Sequence, residues 1–101
     1  MYFIYILYSE VADKYYVGCT DDPYRRLEEH NSKPYDTFTS KYRPWKLRAY
    51  FMCGTNHGVA IQLERYIKKQ KSRKLIEQLC NPTFMPFGEL AQLVRVPDVR
   101  D

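Results

Sequence analysis

Tyr2–Thr20, YFIYILYSEVADKYYVGCT, is the stretch that decides the fold of this 101-residue chain. From Met1 to Ser9 it is rich in Tyr, Ile and Phe and almost wholly apolar, the pattern of a strand buried on both faces. Lys14–Cys19 reads as a second strand, and the four residues Glu10–Asp13 fit a hairpin loop between the two. Working outward, Thr20-Asp21-Asp22-Pro23 is a helix start. An Asp or Thr side chain there can accept from the free backbone N–H groups, and Pro23 in the first turn loses nothing by lacking one. A helix is expected from about Pro23 to His30. Asn31–Pro44 carries Pro, Ser, Asp and Thr without periodicity and reads as a long loop, a class of segment that commonly serves function.

Trp45–Cys53 alternates through Leu47, Ala49 and Phe51 as a third strand, ended by Gly54. Asn56 or Thr55 can cap a helix from His57 to about Gln70, with Val59, Ala60, Leu63 and Ile67 on one face. Ser72–Cys80 is a second helical stretch presenting Leu75, Ile76 and Leu79. Beyond it Pro82, Pro86, Gly88 and Pro97 break the pattern, and only Leu90–Val94 is periodic. The expected fold is α/β of the α+β kind: a small three-stranded antiparallel sheet flanked by helices in the order β-β-α-β-α-α. The functional domain is expected over residues 1–80, with residues 81–101 a C-terminal tail of unknown role.

A stretch of 101 residues is one domain's worth, so a single domain rather than a multi-domain enzyme is expected. With 45% hydrophobic and 28% charged residues it has the composition of a soluble globular protein, and its longest apolar run falls far short of the ~18 residues that suggest a membrane span. That run follows Met1 with no basic residue ahead of it and no small-residue cleavage site behind it, so no secretory signal is read and a cytoplasmic location is expected. Cys19, Cys53 and Cys80 are odd in number and widely spaced, which suits reduced thiols better than a disulfide framework or a paired-cysteine zinc site.

Charge is distributed unevenly. Residues 37–76 hold ten Lys or Arg and one acid, Glu64, while most other acids precede residue 37. A positive side of this kind is the footprint of a protein that meets a polyanion, and nucleic acid is the obvious one. The candidate contacts are Lys41, Arg43, Lys46, Arg65, Lys68, Lys69, Lys71, Arg73 and Lys74. The plainer alternative is a solvated helix face over residues 68–74.

Candidate chemistry comes from five residues. Tyr5 and Tyr16 lie mid-strand in paired strands, Tyr16 two residues before Gly18, whose missing side chain permits close approach. Arg26 and His30, four apart on one helix, share a face. Glu64 lies at the edge of an apolar helix stripe and is the one carboxylate in the basic stretch, a candidate metal ligand. Phosphodiester hydrolysis needs a base or water-orienting group, a cation against the charge growing on phosphorus, and an acid or metal for the leaving oxygen. The five residues supply each part. Taken singly each has a simpler account: packing tyrosines, a surface Arg26 beside Glu28 and Glu29, a His30 complementing the helix dipole, and a Glu64 paired with Lys68.

Together these residues resemble the GIY-YIG nuclease superfamily. Ile4-Tyr5-Ile6-Leu7 and Tyr16-Val17-Gly18 stand where its two strand motifs stand, followed by Arg26 through His30-Asn31, Thr39 through Leu47, and Ala60 through Lys68. The chain is most similar to the small stand-alone bacterial type, and is similar also to the nuclease domain of the DNA-repair excinuclease and to structure-specific endonuclease subunits. The resemblance implies that Tyr5 and Tyr16 are the motif tyrosines, one of them base or water-orienting group. It implies that Arg26 stabilises the phosphate, that His30 assists, and that Glu64 binds one divalent cation, Mg2+ or Mn2+. The implied reaction is hydrolysis of DNA, including branched or damaged forms, alone or with a partner protein subunit and without a membrane. Phe3 replaces the first motif's glycine, Cys19 stands where repair nucleases of the superfamily carry a lysine, and a late asparagine of some members has no counterpart. A non-catalytic or partner-dependent nucleic-acid-binding module on the same scaffold is the alternative.

Overall fold

The computed structural model describes residues 1–33, 38–97 and 99. Strands β1 (Phe3–Ser9) and β2 (Lys14–Thr20) form the expected hairpin, Phe3 opposite Thr20 and Ser9 opposite Lys14. Helix α1 (Pro23–Ser32) begins where the sequence predicts, the Asp22 side chain accepting from the Arg25 N–H at 3.1 Å. It runs one half-turn past His30. A four-residue helix α2 (Phe38–Lys41) stands in the region read as loop, of which residues 34–37 lie outside the described residues. Strand β3 (Trp45–Met52) follows, then α3 (His57–Gln70), capped by Asn56, and α4 (Arg73–Cys80), capped by Ser72.

The sheet is antiparallel in the order β2-β1-β3-β4. Its fourth strand, β4 (Val94–Arg95), corrects the three-stranded expectation. Two residues are too few to show a strand's period of two. Ahead of β4 a single 3-10 turn, Gly88–Leu90, brings Leu90 and then Leu93 into the interior beside Ile4, Ile6 and Phe51.

Two apolar clusters lie on the two faces of the sheet. One joins Ile4, Ile6, Val17, Ala49 and Phe51 to Ala60, Leu63 and Ile67 of α3 and Leu79 of α4. The other joins Tyr5, Leu7, Trp45 and Leu47, with Tyr24 and Leu27 of α1 packed against them. Strand β3 feeds both. Its pairing with β1 shifts between Ile6/Ala49 and Leu7/Leu47, leaving Arg48 as an extra residue, a β-bulge. The bulge turns Trp45 and Leu47 to the α1 side and Ala49 and Phe51 to the α3 side, although the sequence alternation reads as one continuous row.

Candidate active site

Tyr5 lies opposite Gly18 of β2 and Tyr50 of β3 and is 1% exposed. A Cβ at Gly18 would stand 2.4 Å from the Tyr5 hydroxyl oxygen, so the phenol lies directly across the glycine. Its oxygen is 2.9 Å from His30 Nε2, and the two share one hydrogen bond. The Tyr16 ring centroid lies 4.8 Å from that of His30 and 6.2 Å from that of Tyr5, and the Trp45 ring backs it at 6.3 Å. Arg26, one turn before His30, is near enough to Tyr5 to favour its ionised form, and pairs with Glu29 at 2.8 Å. The structure thus brings Tyr5, Tyr16, Arg26 and His30 together on the α1 side of the sheet.

The end of α1 is fixed by side chains that hold backbone. Asn31 donates to the Trp45 carbonyl at 2.9 Å and accepts from the Trp45 N–H at 2.6 Å, a clasp that copies one rung of a β-ladder. Arg43 donates through Nε to the His30 carbonyl at 2.6 Å and through a second nitrogen to that of Lys33, covering carbonyls that a helix C-terminus leaves unpaired. Arg43, which the sequence offers as a DNA contact, is here a partner of the His30 and Lys33 carbonyls. No periodicity signals these two residues, because their partners are remote in sequence.

Burial sets the electrostatics. Desolvation, and after it the Arg26 charge, pull the His30 imidazole down to about 4, so it is neutral at pH 7. Desolvation, then the neighbouring Tyr16, push the Tyr5 phenol well above the usual tyrosine range despite the opposing pull of Arg26. His30 therefore lends the fold a pH dependence of definite sign. Between pH 6.5 and 4 the unfolded chain binds a proton that the folded chain does not, so stability is full above about pH 7 and is lost as pH falls through that window. Urea unfolding is expected to show roughly 2–3 kcal/mol lost between pH 7 and pH 4.5 through this residue. In His30→Gln that portion of the slope should vanish, and parallel pH curves for the two proteins would remove the assignment.

Glu64 comes from α3, on the other face of the sheet, and reaches the site around the edge strand β2. Its carboxylate pairs with Lys68 at 3.0 Å, as the simpler reading of their spacing predicts. The same Lys68 ammonium lies 5.2 Å from the Tyr16 ring centroid, so one lysine connects the carboxylate to the cluster. Glu64 also faces Cys19, whose thiol burial and that carboxylate push up to about 11. Among the described residues no three His, Cys, Asp or Glu side chains gather as a metal-binding group, and Cys19, Cys53 and Cys80 are free thiols. A lone carboxylate suits Mg2+, which keeps several waters and takes its remaining ligands from substrate phosphate.

Of the other basic candidates, Lys46 pairs with Glu10 at 3.0 Å. Arg73 pairs with Asp13 at 2.5 Å and with Glu77 at 3.4 Å, tying the hairpin loop to α4. Lys41, Arg65, Lys69, Lys71 and Lys74 are exposed. No helix among the described residues is long and apolar enough to cross a membrane.

Comparison with known proteins meets this geometry. The structure-specific endonuclease subunit SLX1 of Meyerozyma guilliermondii is 33% identical over 78 residues, 72% of this chain and 26% of that protein. The subunit of the same name from Debaryomyces hansenii is 33% identical over 73 residues, 66% of this chain and 21% of that protein. The chain spans about a quarter of the length of these relatives. The family model of the GIY-YIG catalytic domain matches residues 1–77, a span that holds both tyrosines, Arg26, His30 and Glu64, and the chain belongs to that family.

Proposed function

We propose that the protein is an endonuclease that hydrolyses phosphodiester bonds in DNA with the help of Mg2+ or Mn2+, acting on branched or otherwise structured substrates. The observation that carries this reading is the convergence of two phenols, an imidazole and a guanidinium on one face of the sheet, with a carboxylate at the adjoining edge, in a chain of the GIY-YIG family. The relatives are named as subunits of a structure-specific endonuclease, which supports a structured substrate and a partner protein here.

Each residue has a part in such a hydrolysis. Arg26, about a third exposed at its side chain, supplies a fixed positive charge to the phosphate oxygens. Burial holds the proton of Tyr5, which serves to keep His30 and the cleft floor in place. Tyr16 is half-buried between His30 and Lys68 and is the phenol that orients the attacking water. Glu64, with water and the substrate phosphate, would hold the cation. Bound there, the cation supplies Lewis-acid stabilisation to the leaving oxygen. The exposed lysines and arginines between residues 41 and 74 turn a positive side to the DNA backbone.

The test is cleavage of nicked, branched, single-stranded and duplex DNA in Mg2+ or Mn2+. Product is expected with structured substrates, is expected to stop when the metal is chelated, and is expected to fall about 100-fold or more in Glu64→Gln. Cleavage unchanged in Glu64→Gln would trace it to a contaminant and end the proposal. Steeply salt-dependent binding without product would leave the non-catalytic binding module in its place.

A further inference from the structure

Beside the cluster, a groove of about 310 Å³ runs between the tip of the β1–β2 hairpin and the junction of α3 with α4. Lys14, Lys68, Lys71 and Arg73 line it, and Tyr15, Ile67 and Ile76 contribute apolar surface. Its one acid, Asp13, is taken up by Arg73 at 2.5 Å and by the Tyr8 hydroxyl at 2.6 Å, so the groove is positive on balance. Lys68 belongs both to this groove and to the cover of the Tyr16 ring, so one lysine joins the groove to the cluster. A cleft lined with one sign of charge over apolar surface focuses its field on a mobile anion.

The backbone supplies an independent sign. Among the described residues two non-glycine residues hold a left-handed conformation, Asp13 at φ 52° and Lys71 at φ 49°, and both line this groove. Lys71 ends α3 in the position where glycine closes a helix with least strain. A lysine there carries a backbone cost that its own helix does not require, and backbone strain of this kind gathers at sites with a use for it. What lysine provides and glycine does not is an ammonium at the groove.

We infer that this groove is a second phosphate subsite, which takes the backbone phosphates of the DNA strand flanking the cleaved bond. The inference rests on the proposed nuclease reading and adds where the substrate lies: from Tyr16 past Lys68 to Lys71 and Lys14, along the outer edge of β2. The groove contacts phosphate alone, so it contributes affinity and register without sequence preference.

Binding of labelled branched DNA to the full chain carrying Glu64→Gln, followed by fluorescence anisotropy between about 50 and 200 mM salt, tests it. Adding Lys14→Ala and Lys71→Ala together is expected to flatten the plot of log affinity against log salt by about two, one per lost phosphate contact. Removing the same charge outside the groove and outside residues 41–74, with Arg25→Ala and Lys33→Ala, both exposed, is expected to change the slope by less than half as much. Lys71→Gly separates charge from fold: its melting temperature should equal or exceed that of the parent, while the slope flattens by about one. A Lys71→Gly protein that binds with the parent's slope, or an Arg25/Lys33 pair that matters as much as the groove pair, overturns the subsite while cleavage by the wild-type chain leaves the nuclease reading standing. If the wild-type chain neither binds nor cuts any DNA, both fall.

Discussion

Gly18→Ala is expected to reduce DNA cleavage by about 100-fold or more while the chain still folds, because it displaces the Tyr5 ring from His30. The added methyl would lie 2.4 Å from the Tyr5 hydroxyl oxygen and 2.5 Å from Cζ, well inside contact distance. Tyr5 has little room to retreat, being 1% exposed and paired in register with Gly18 itself. Either the ring swings off His30 Nε2 or β2 moves away from β1, and both misplace Tyr16. Overpacking of this kind costs roughly 1–3 kcal/mol, which a folded domain of this size can carry. Cleavage rates set beside those of Tyr5→Phe, which loses the hydroxyl and keeps the ring, separate position from hydrogen bonding. Near-normal cleavage by Gly18→Ala would show that the placement of Tyr5 is irrelevant to turnover.

Ending the chain after Cys80 is expected to unfold it. Leu90 and Leu93 are 4% and 5% exposed in the same cluster as Ile4, Ile6 and Phe51, and β4 pairs with the far end of β3. Losing a buried leucine costs about 2–5 kcal/mol, and two such losses match the whole stability of many small domains. Urea unfolding monitored by circular dichroism checks this. The full chain should unfold in one cooperative transition, and one ending after Cys80 should lack it. A sharp transition in the shorter chain would show that residues 1–80 fold alone.

Most of the scaffold was legible because its signals are local. The hairpin loop at Glu10–Asp13, the Asp22-Pro23 start of α1 and the Asn56 start of α3 lie where the sequence predicts, since a turn or cap is written in consecutive residues. What stayed hidden depends on distant partners. The β4 strand takes its existence from β3, and of the buried leucines before it Leu90 ends a single 3-10 turn and Leu93 lies just beyond it, so their burial depends on the far strands they meet. Within the site, His30 was legible as sharing a helix face with Arg26, but its burial was not, because it rests on Tyr5 and Tyr16 of the strands and on a helix end held by Asn31 and Arg43. Arg43, Lys46 and Arg73 look like free charge in a list of basic residues, yet each holds another part of the chain. Glu64 was legible as an isolated acid, but its approach around the edge of β2 through Lys68 was not.

The irregularity at Arg48 bears on how this chain tolerates changes of length. With Arg48 as the surplus residue, Leu47 and Ala49 already face opposite sides of the sheet against Leu7 and Ile6. Omitting that one arginine would leave an even ladder with every apolar side chain on its present side. A residue gained among Ala49, Tyr50 and Phe51 would instead send Phe51 out of the layer it shares with α3. Insertions and deletions in β3 therefore have opposite fates, and descendants of this domain can shed the surplus residue far more easily than they can acquire another.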